Sequence, residues 1–279
     1  VVLTMQGGLM WQAFALYIPF WQSVEGWSAA ALAVAFSIYQ ATSVLLSPLQ
    51  ALLLNAIGPR RVIQIGVVMA AGGMASVAAV TSLPALFAAM VVVGLGFSLC
   101  GGMSFSTVMI NWFERQRARA LALMQVGKGV GGLMVLGVAA SLAAHGWRVT
   151  ILASALLFLV FGLAVAFGMR DTPESYGLRP DGDDPSDGSD AAAMASTSGP
   201  VDRGLGMAAA MRTSAFWQIN LASGLLAMVV TALVAHMAVH LQEVGFSITF
   251  AASMVALVTM AATIGLLVAG VVGDRVGKR

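Results

Sequence analysis

The chain has 279 residues, 59% of them hydrophobic and 9% charged, with a mean hydropathy of +0.90 and a formal net charge of +2. Soluble domains carry roughly 25% charged residues, so these side chains cannot cover a surface facing water, and the solvent of this chain is lipid. The net charge is too small to imply a nucleic-acid partner, and the single cysteine, Cys100, rules out a disulfide framework.

A bilayer core about 30 Å thick needs ~20 apolar residues at a rise of about 1.5 Å each. In chain order this ruler predicts eight spans, at 1–21, 28–54, 62–80, 84–110, 120–142, 149–168, 214–238 and 247–271. The rhythm breaks only at 170–212, rich in Asp, Ser, Gly, Pro and Ala. Its centre DGDDPSDGSD (181–190) has no aromatic or β-branched residue and cannot bury enough surface to order itself. The expected fold class is all-α and polytopic. Its parts are an N-terminal six-helix transmembrane bundle (1–169), a cytoplasmic, largely disordered central loop (170–212) and two helices of a second bundle (213–279).

Lysine and arginine orient the spans. Arg60 and Arg61 lie in the second connection, Arg115, Arg117 and Arg119 in the fourth, Arg170, Arg179, Arg203 and Arg212 in the long loop, and Arg275, Lys278 and Arg279 at the end. The odd-numbered connections hold only Arg148. Positive residues stay cytoplasmic, so the even-numbered connections face inward, and those holding Glu25, His145 and Glu243 face outward.

The ending GVVGDRVGKR (270–279) has a counterpart in ALLLNAIGPRR (51–61), aligning Ala51 with Gly270, Asn55 with Asp274, Ala56 with Arg275, Gly58 with Gly277 and Arg60 with Arg279. Each copy follows the second helix of its unit, the pattern of two similar halves in tandem. The spacing Gly-x-x-x-Asp-Arg-x-Gly-x-Arg resembles the loop signature of the major facilitator superfamily. It is complete at 270–279 and degraded at 51–61, where Asn55 replaces the acid and Ala56 the first base. The stretches EGWSAAALAVAFSIYQ (25–40), NWFERQRARALAL (111–123), HGWRVTILA (145–153) and HLQEVGFSITFAASMVAL (240–257) are similar to the oxalate/formate antiporter and monocarboxylate transporter branch.

The resemblance implies two six-helix bundles that rock about a site near the membrane midplane. It leads to the expectation that this chain, opening on Val1, is a fragment lacking the last four helices. It also implies a conformational gate, formed by Asn55, Gly58, Arg60 and Arg61 in one copy and by Gly270, Asp274, Arg275, Gly277 and Arg279 in the other. The family places the second loop near helix 5 of the first bundle, where the Asp274 carboxylate would meet the partial positive charge of a helix N-terminus and favour the outward-open state. The plainer alternative makes Asp274 and its basic neighbours solvated topology determinants. Asn55 supplies no charge, so the first gate is expected to be the weaker.

Ionisable groups inside the bilayer are rare and default to function. The clear instance is Lys128, in MQVGKGVGGLMV (124–135), about 13 Å deep if the fifth span starts near Arg119 and rises about 1.5 Å per residue. The expected substrate-binding set is Lys128, Gln125, Gln12 and Trp11, with Tyr17 as a further wall; snorkelling of the lysine and interfacial anchoring of the aromatics are the alternatives. Gly127 and Gly131 form a GxxxG face suited to close helix packing. No strand precedes them, which excludes a dinucleotide loop. The branch that handles carboxylates commonly has an arginine four residues before the first glycine of the second signature, whereas this chain has Leu266. His236 and His240 share a helix face at i, i+4 but have no evident third ligand, so no metal is expected, nor any cofactor.

The function expected is secondary active transport of small organic solutes, organic anions first, across the plasma membrane, with a small-molecule substrate and the lipid bilayer as partners and the coupling ion open. Neutral or amphipathic solutes, or a non-transporting membrane sensor on the same bundle, are the alternatives. An enzyme would need a nucleophile, metal set or acid/base pair at depth, and one lysine with scattered Ser and Thr does not supply it.

Overall fold

The computed structural model describes residues 1–173, 180, 207–245 and 248–275. Most of the expected central loop lies outside the described residues, as do Gly277 and Arg279. So do the side chains of Lys128, His236, His240, Asp274 and Arg275.

Helices occupy all eight expected intervals, and several are interrupted. The first is α1 (Val2–Gln6), a π-helical segment (Gly7–Gln12) and α2 (Phe14–Glu25). The second is α3 (Ala29–Leu45) followed by α4 (Ser47–Ile57), bent by 47°. The third is α5 (Pro59–Ala79), and the fourth splits into α6 (Leu83–Leu99) and α7 (Gly102–Trp112). The fifth and sixth form α8 (Arg117–Gly168), broken at Gly146, where φ 76° and ψ 172° suit glycine alone. A short α9 (Met207–Ala210) precedes α10 (Ser214–Glu243) and α11 (Ile248–Arg275).

Local chemistry sets the starts. Ser28 accepts the Ala31 N–H at 3.2 Å and caps α3, and proline stands in the first turn of α4, α5 and α6, where its missing N–H costs nothing. By length and composition, Pro59–Ala79, Leu83–Trp112 and Met134–Gly168 are long and apolar enough to cross a membrane, and the bent pair α3 and α4 makes a fourth such span.

Contacts group Val1–Asp183 with Leu267–Arg279 as one compact unit and Asp184–Leu266 as another. In the first unit, α5 packs on α6 and α8, α3 on α6, and α1 with the π-helical segment on α8. Lipid offers apolar side chains no hydrophobic reason to associate, so small residues that let backbones approach decide where helices meet. A Cβ on Gly66 would stand 2.5 Å from Cys100 N, and one on Gly73 2.8 Å from Val93 N, so α5 and α6 touch through their backbones. The Gly127/Gly131 face does the same against α1: a Cβ on Gly131 would stand 2.5 Å from Thr4 O. Trp21, 0% exposed, gathers Phe14, Tyr17, Trp27 and Trp147 into an aromatic core.

Candidate functional site

Three helix interruptions meet at one cavity of about 480 Å³. The π-helical segment contributes Gly7, Trp11 and Gln12, the α3/α4 bend contributes Ser43, Val44 and Ser47, and the α6/α7 break contributes Ser98, Gly101 and Gly102. Broken helix at membrane depth leaves backbone groups that lipid cannot satisfy, so it persists only inside protein or along a cavity. π-Bulges likewise concentrate at functional sites.

Side chains repair the damage around the breaks. Ser104 Oγ donates to Leu99 O at 2.5 Å across the α6/α7 break. Gln50 Nε2 donates to Ser104 Oγ at 3.0 Å, while Ser98 Oγ stands 3.3 Å from Gln50 Oε1 and 3.1 Å from Ser43 O, sharing its one proton between them. Gln50 is 3% exposed. It ties α4 to both limbs of the fourth span and so fixes the shape of the cavity wall. Closer to α1, Gln6 Nε2 donates to Phe97 O at 3.4 Å, and the Gln6 side chain also meets Tyr39.

The described wall mixes polar groups with apolar side chains such as Leu3, Val44, Phe97 and Met103. Gln6, Gln12, Gln40, Gln50 and the serines supply amide and hydroxyl groups, and among the described residues no Asp, Glu, Lys, Arg or His lines it. Trp11, 49% exposed, stands edge-on to Phe36 with centroids 5.6 Å apart and offers a free aromatic face.

Of the residues singled out from sequence, Trp11 and Gln12 line this cavity. Gln125 is exposed on α8 and does not line it. Tyr17, expected as a further wall, is 1% exposed in the aromatic core, stacked on Trp21 at 5.5 Å. The backbone of Lys128 follows Gly127, where a Cβ would stand 3.1 Å from Thr4 Oγ1. Gln6, Tyr39, Gln40, Ser43, Ser47, Gln50 and Ser98 went unnoticed in the sequence. The signal was present: Tyr39, Ser43, Ser47 and Gln50 recur every three or four residues, the spacing of one helical face.

At the end of the bundle where the α4/α5 turn lies, Asp171 reaches that turn. Its Oδ1 accepts the Arg60 N–H at 2.7 Å, and a Cβ on Gly58 would stand 3.1 Å from its Oδ2. Arg60 Nη2 donates to Phe167 O at 3.0 Å, Asn111 Nδ2 to Asp171 O at 3.2 Å and Trp112 Nε1 to Arg170 O at 3.0 Å. The first signature loop is thus stapled to the ends of the fourth and sixth spans. Asn55 and Arg61 are exposed beside it. In the second copy Gly270 is buried, and a Cβ there would stand 2.7 Å from Ala122 Cβ and 3.1 Å from Ala118 O. The end of α11 therefore lies against the first turns of α8.

Helical spans, basic connections between them and a cavity at the helix breaks define a polytopic integral membrane protein. The chain belongs to the Major Facilitator Superfamily, whose family model matches residues 1–279. It is similar to the membrane sensor protein UhpC of Salmonella typhimurium strain LT2, with 33% identity over 92 residues, 32% of this chain and 20% of that protein. The match thus spans well under two thirds of the relative's own length.

Proposed function

We propose that the protein is a secondary active transporter that moves small organic solutes, organic anions first, across the plasma membrane by alternating access, with its central loop cytoplasmic. The observation that carries this reading is the convergence of three interrupted spans on one polar cavity. Lys128 supplies the positive charge that the branch similar to this chain, the oxalate/formate and monocarboxylate transporters, carries at the position of Leu266. A lysine at the bilayer centre costs about 2.5–3.5 kcal/mol on insertion scales, and an anionic solute offsets that cost. As a point charge without the fork of arginine, it selects loosely among carboxylates. The second signature, with Asp274 near the start of α8, acts as the inner gate.

The test is uptake by the full-length protein in proteoliposomes. Lys128→Met should abolish anion uptake while membrane insertion stays normal; retained uptake with unchanged apparent affinity removes the binding role. The similarity to a membrane sensor supports a second reading, in which solute binding is retained without transport. Solute binding with no counterflow by the full-length protein would favour that reading.

A further inference from the structure

A broken span leaves carbonyls at the end of its first limb that the helix cannot satisfy, and in lipid other protein groups must meet them. At the α3/α4 bend one such group is Ser43 O, which Ser98 Oγ meets at 3.1 Å. At the α6/α7 break it is Leu99 O, which Ser104 Oγ meets at 2.5 Å. The two hydroxyls belong to one span and stand on opposite sides of its break. Both also turn to a single amide. Gln50 Nε2 donates to Ser104 Oγ at 3.0 Å, and Gln50 Oε1 stands 3.3 Å from Ser98 Oγ. All three side chains are buried, and a buried polar network holds its members in one arrangement because a half-made one leaves polar groups unpaired. Helices α3 and α6 also touch directly, since a Cβ on Gly94 would stand 2.7 Å from Tyr39 O, but that contact joins the first limbs alone.

We propose that the two breaks are one conformational element coupled through Gln50, so that the α3/α4 bend and the α6/α7 break tighten or relax together and reshape the cavity wall as a unit. Gln50 is a positioning residue, with Nε2 and Oε1 both engaged by the wall. Glycine makes the second break adjustable. Gly101 leads into α7 with φ −86° and ψ −169°, and a Cβ there would stand 2.7 Å from Phe97 O. Alanine at this position disfavours the break as it stands and favours continuous helix, by about fivefold from helix propensity alone. A bias applied at one break reaches the other only through contacts that differ between the two states, and Gln50 supplies them. The inference concerns the wall itself and stands whether the full-length protein transports its solute or only binds it.

The experiment is amide hydrogen exchange of the purified full-length protein in nanodiscs, read by mass spectrometry on peptides covering 44–50 and 99–105. Gly101→Ala should slow exchange about fivefold at 99–105 and by about twofold or more at 44–50. In a Gln50→Leu background the effect of Gly101→Ala at 99–105 should remain and its effect at 44–50 should vanish. Gln50→Leu leaves Ser98 and Ser104 on their carbonyls, so neither hydroxyl is orphaned; Ser104→Ala cuts the same path and takes its place if it does not fold. Should Gly101→Ala not fold, Gln50→Leu alone should speed exchange at both peptides, and speeding at neither or at one only overturns the coupling. A response to Gly101→Ala confined to 99–105 in the otherwise unaltered protein overturns it, as does no response at either peptide. A response at 44–50 that survives Gln50→Leu overturns it too, because the packing of α3 on α6 then carries the signal.

Discussion

At Gly58 the chain leaves α4 and enters α5 with φ 80° and ψ 155°, a region essentially closed to residues with a Cβ. The same glycine lets Asp171 approach, because a Cβ would meet its Oδ2 at 3.1 Å. The carboxylate then caps the first free N–H of α5, that of Arg60, and faces the positive end of that helix. Asn55 carries no charge at the signature position, and Asp171, arriving from the far end of the sixth span, brings a carboxylate to the same turn. Two substitutions separate these effects. Asp171→Ala should lower the stability of the purified protein by about 0.5–2 kcal/mol, the cost of a lost helix cap. Gly58→Ala should cost about 1–3 kcal/mol for the backbone alone, plus the clash with Asp171. In a double-mutant cycle read by thermal unfolding, the clash should vanish in the Asp171→Ala background while the backbone cost persists. Full additivity would mean that the two residues do not meet. At the outer end Arg148, the one exception to the basic asymmetry, lies 2.7 Å from Glu25 Oε1 with its guanidinium 4.3 Å over Trp147. Its side chain is 45% exposed, so the pair is worth about 0–1 kcal/mol at most. Its importance is that the charge is locally compensated.

Between elements, backbone proximity rather than apolar area selects the partners. Gly66 and Gly72 lie on the same helix and test this directly. A Cβ on Gly66 would press on Cys100 N at 2.5 Å, whereas one on Gly72 meets nothing within 4 Å. Gly66→Ala should therefore destabilise by about 1–3 kcal/mol through overpacking. Gly72→Ala should be neutral or stabilise by up to about 1 kcal/mol through helix propensity. Thermal unfolding in detergent reads both; equal effects would show that α5 and α6 do not meet through Gly66. The helices themselves were legible because twenty apolar residues in a row have one stable solution in lipid. The Gly127/Gly131 spacing likewise pointed to a packing face, which meets Thr4 and Gly8. The interruptions at 7–12, Leu46 and 100–101 were not legible, because hydropathy sums over a window and is blind to a missing backbone hydrogen bond. Asp171 escaped for another reason: its partner Arg60 is 111 residues away, and only the fold brings them together.

For the whole molecule, the candidate gate is the contact between the second signature and α8. The second signature begins at Gly270, buried against Ala118 and Ala122 in the first turns of α8, and Asp274 follows one helical turn later in the sequence. If this contact is the gate, breaking it by shape or by charge should shift the same equilibrium. Gly270→Leu forces α11 away from Ala122, and Asp274→Asn removes the charge that the helix end attracts. Gly265→Leu is the control on the same helix, since a Cβ there meets nothing within 4 Å. In a background with Cys100 and any other cysteine of the full-length protein replaced, a single Ser47→Cys in the cavity wall can report access from either side of the membrane. In the full-length protein, Gly270→Leu and Asp274→Asn should both raise labelling from the inside relative to the outside. The expected shift is about 5–150-fold, the span of ordinary coupling energies of about 1–3 kcal/mol, while Gly265→Leu leaves the ratio alone. Should Asp274→Asn leave it alone as well, the carboxylate is a topology determinant. A shift with Gly270→Leu only would then place the closing force in helix packing instead of charge.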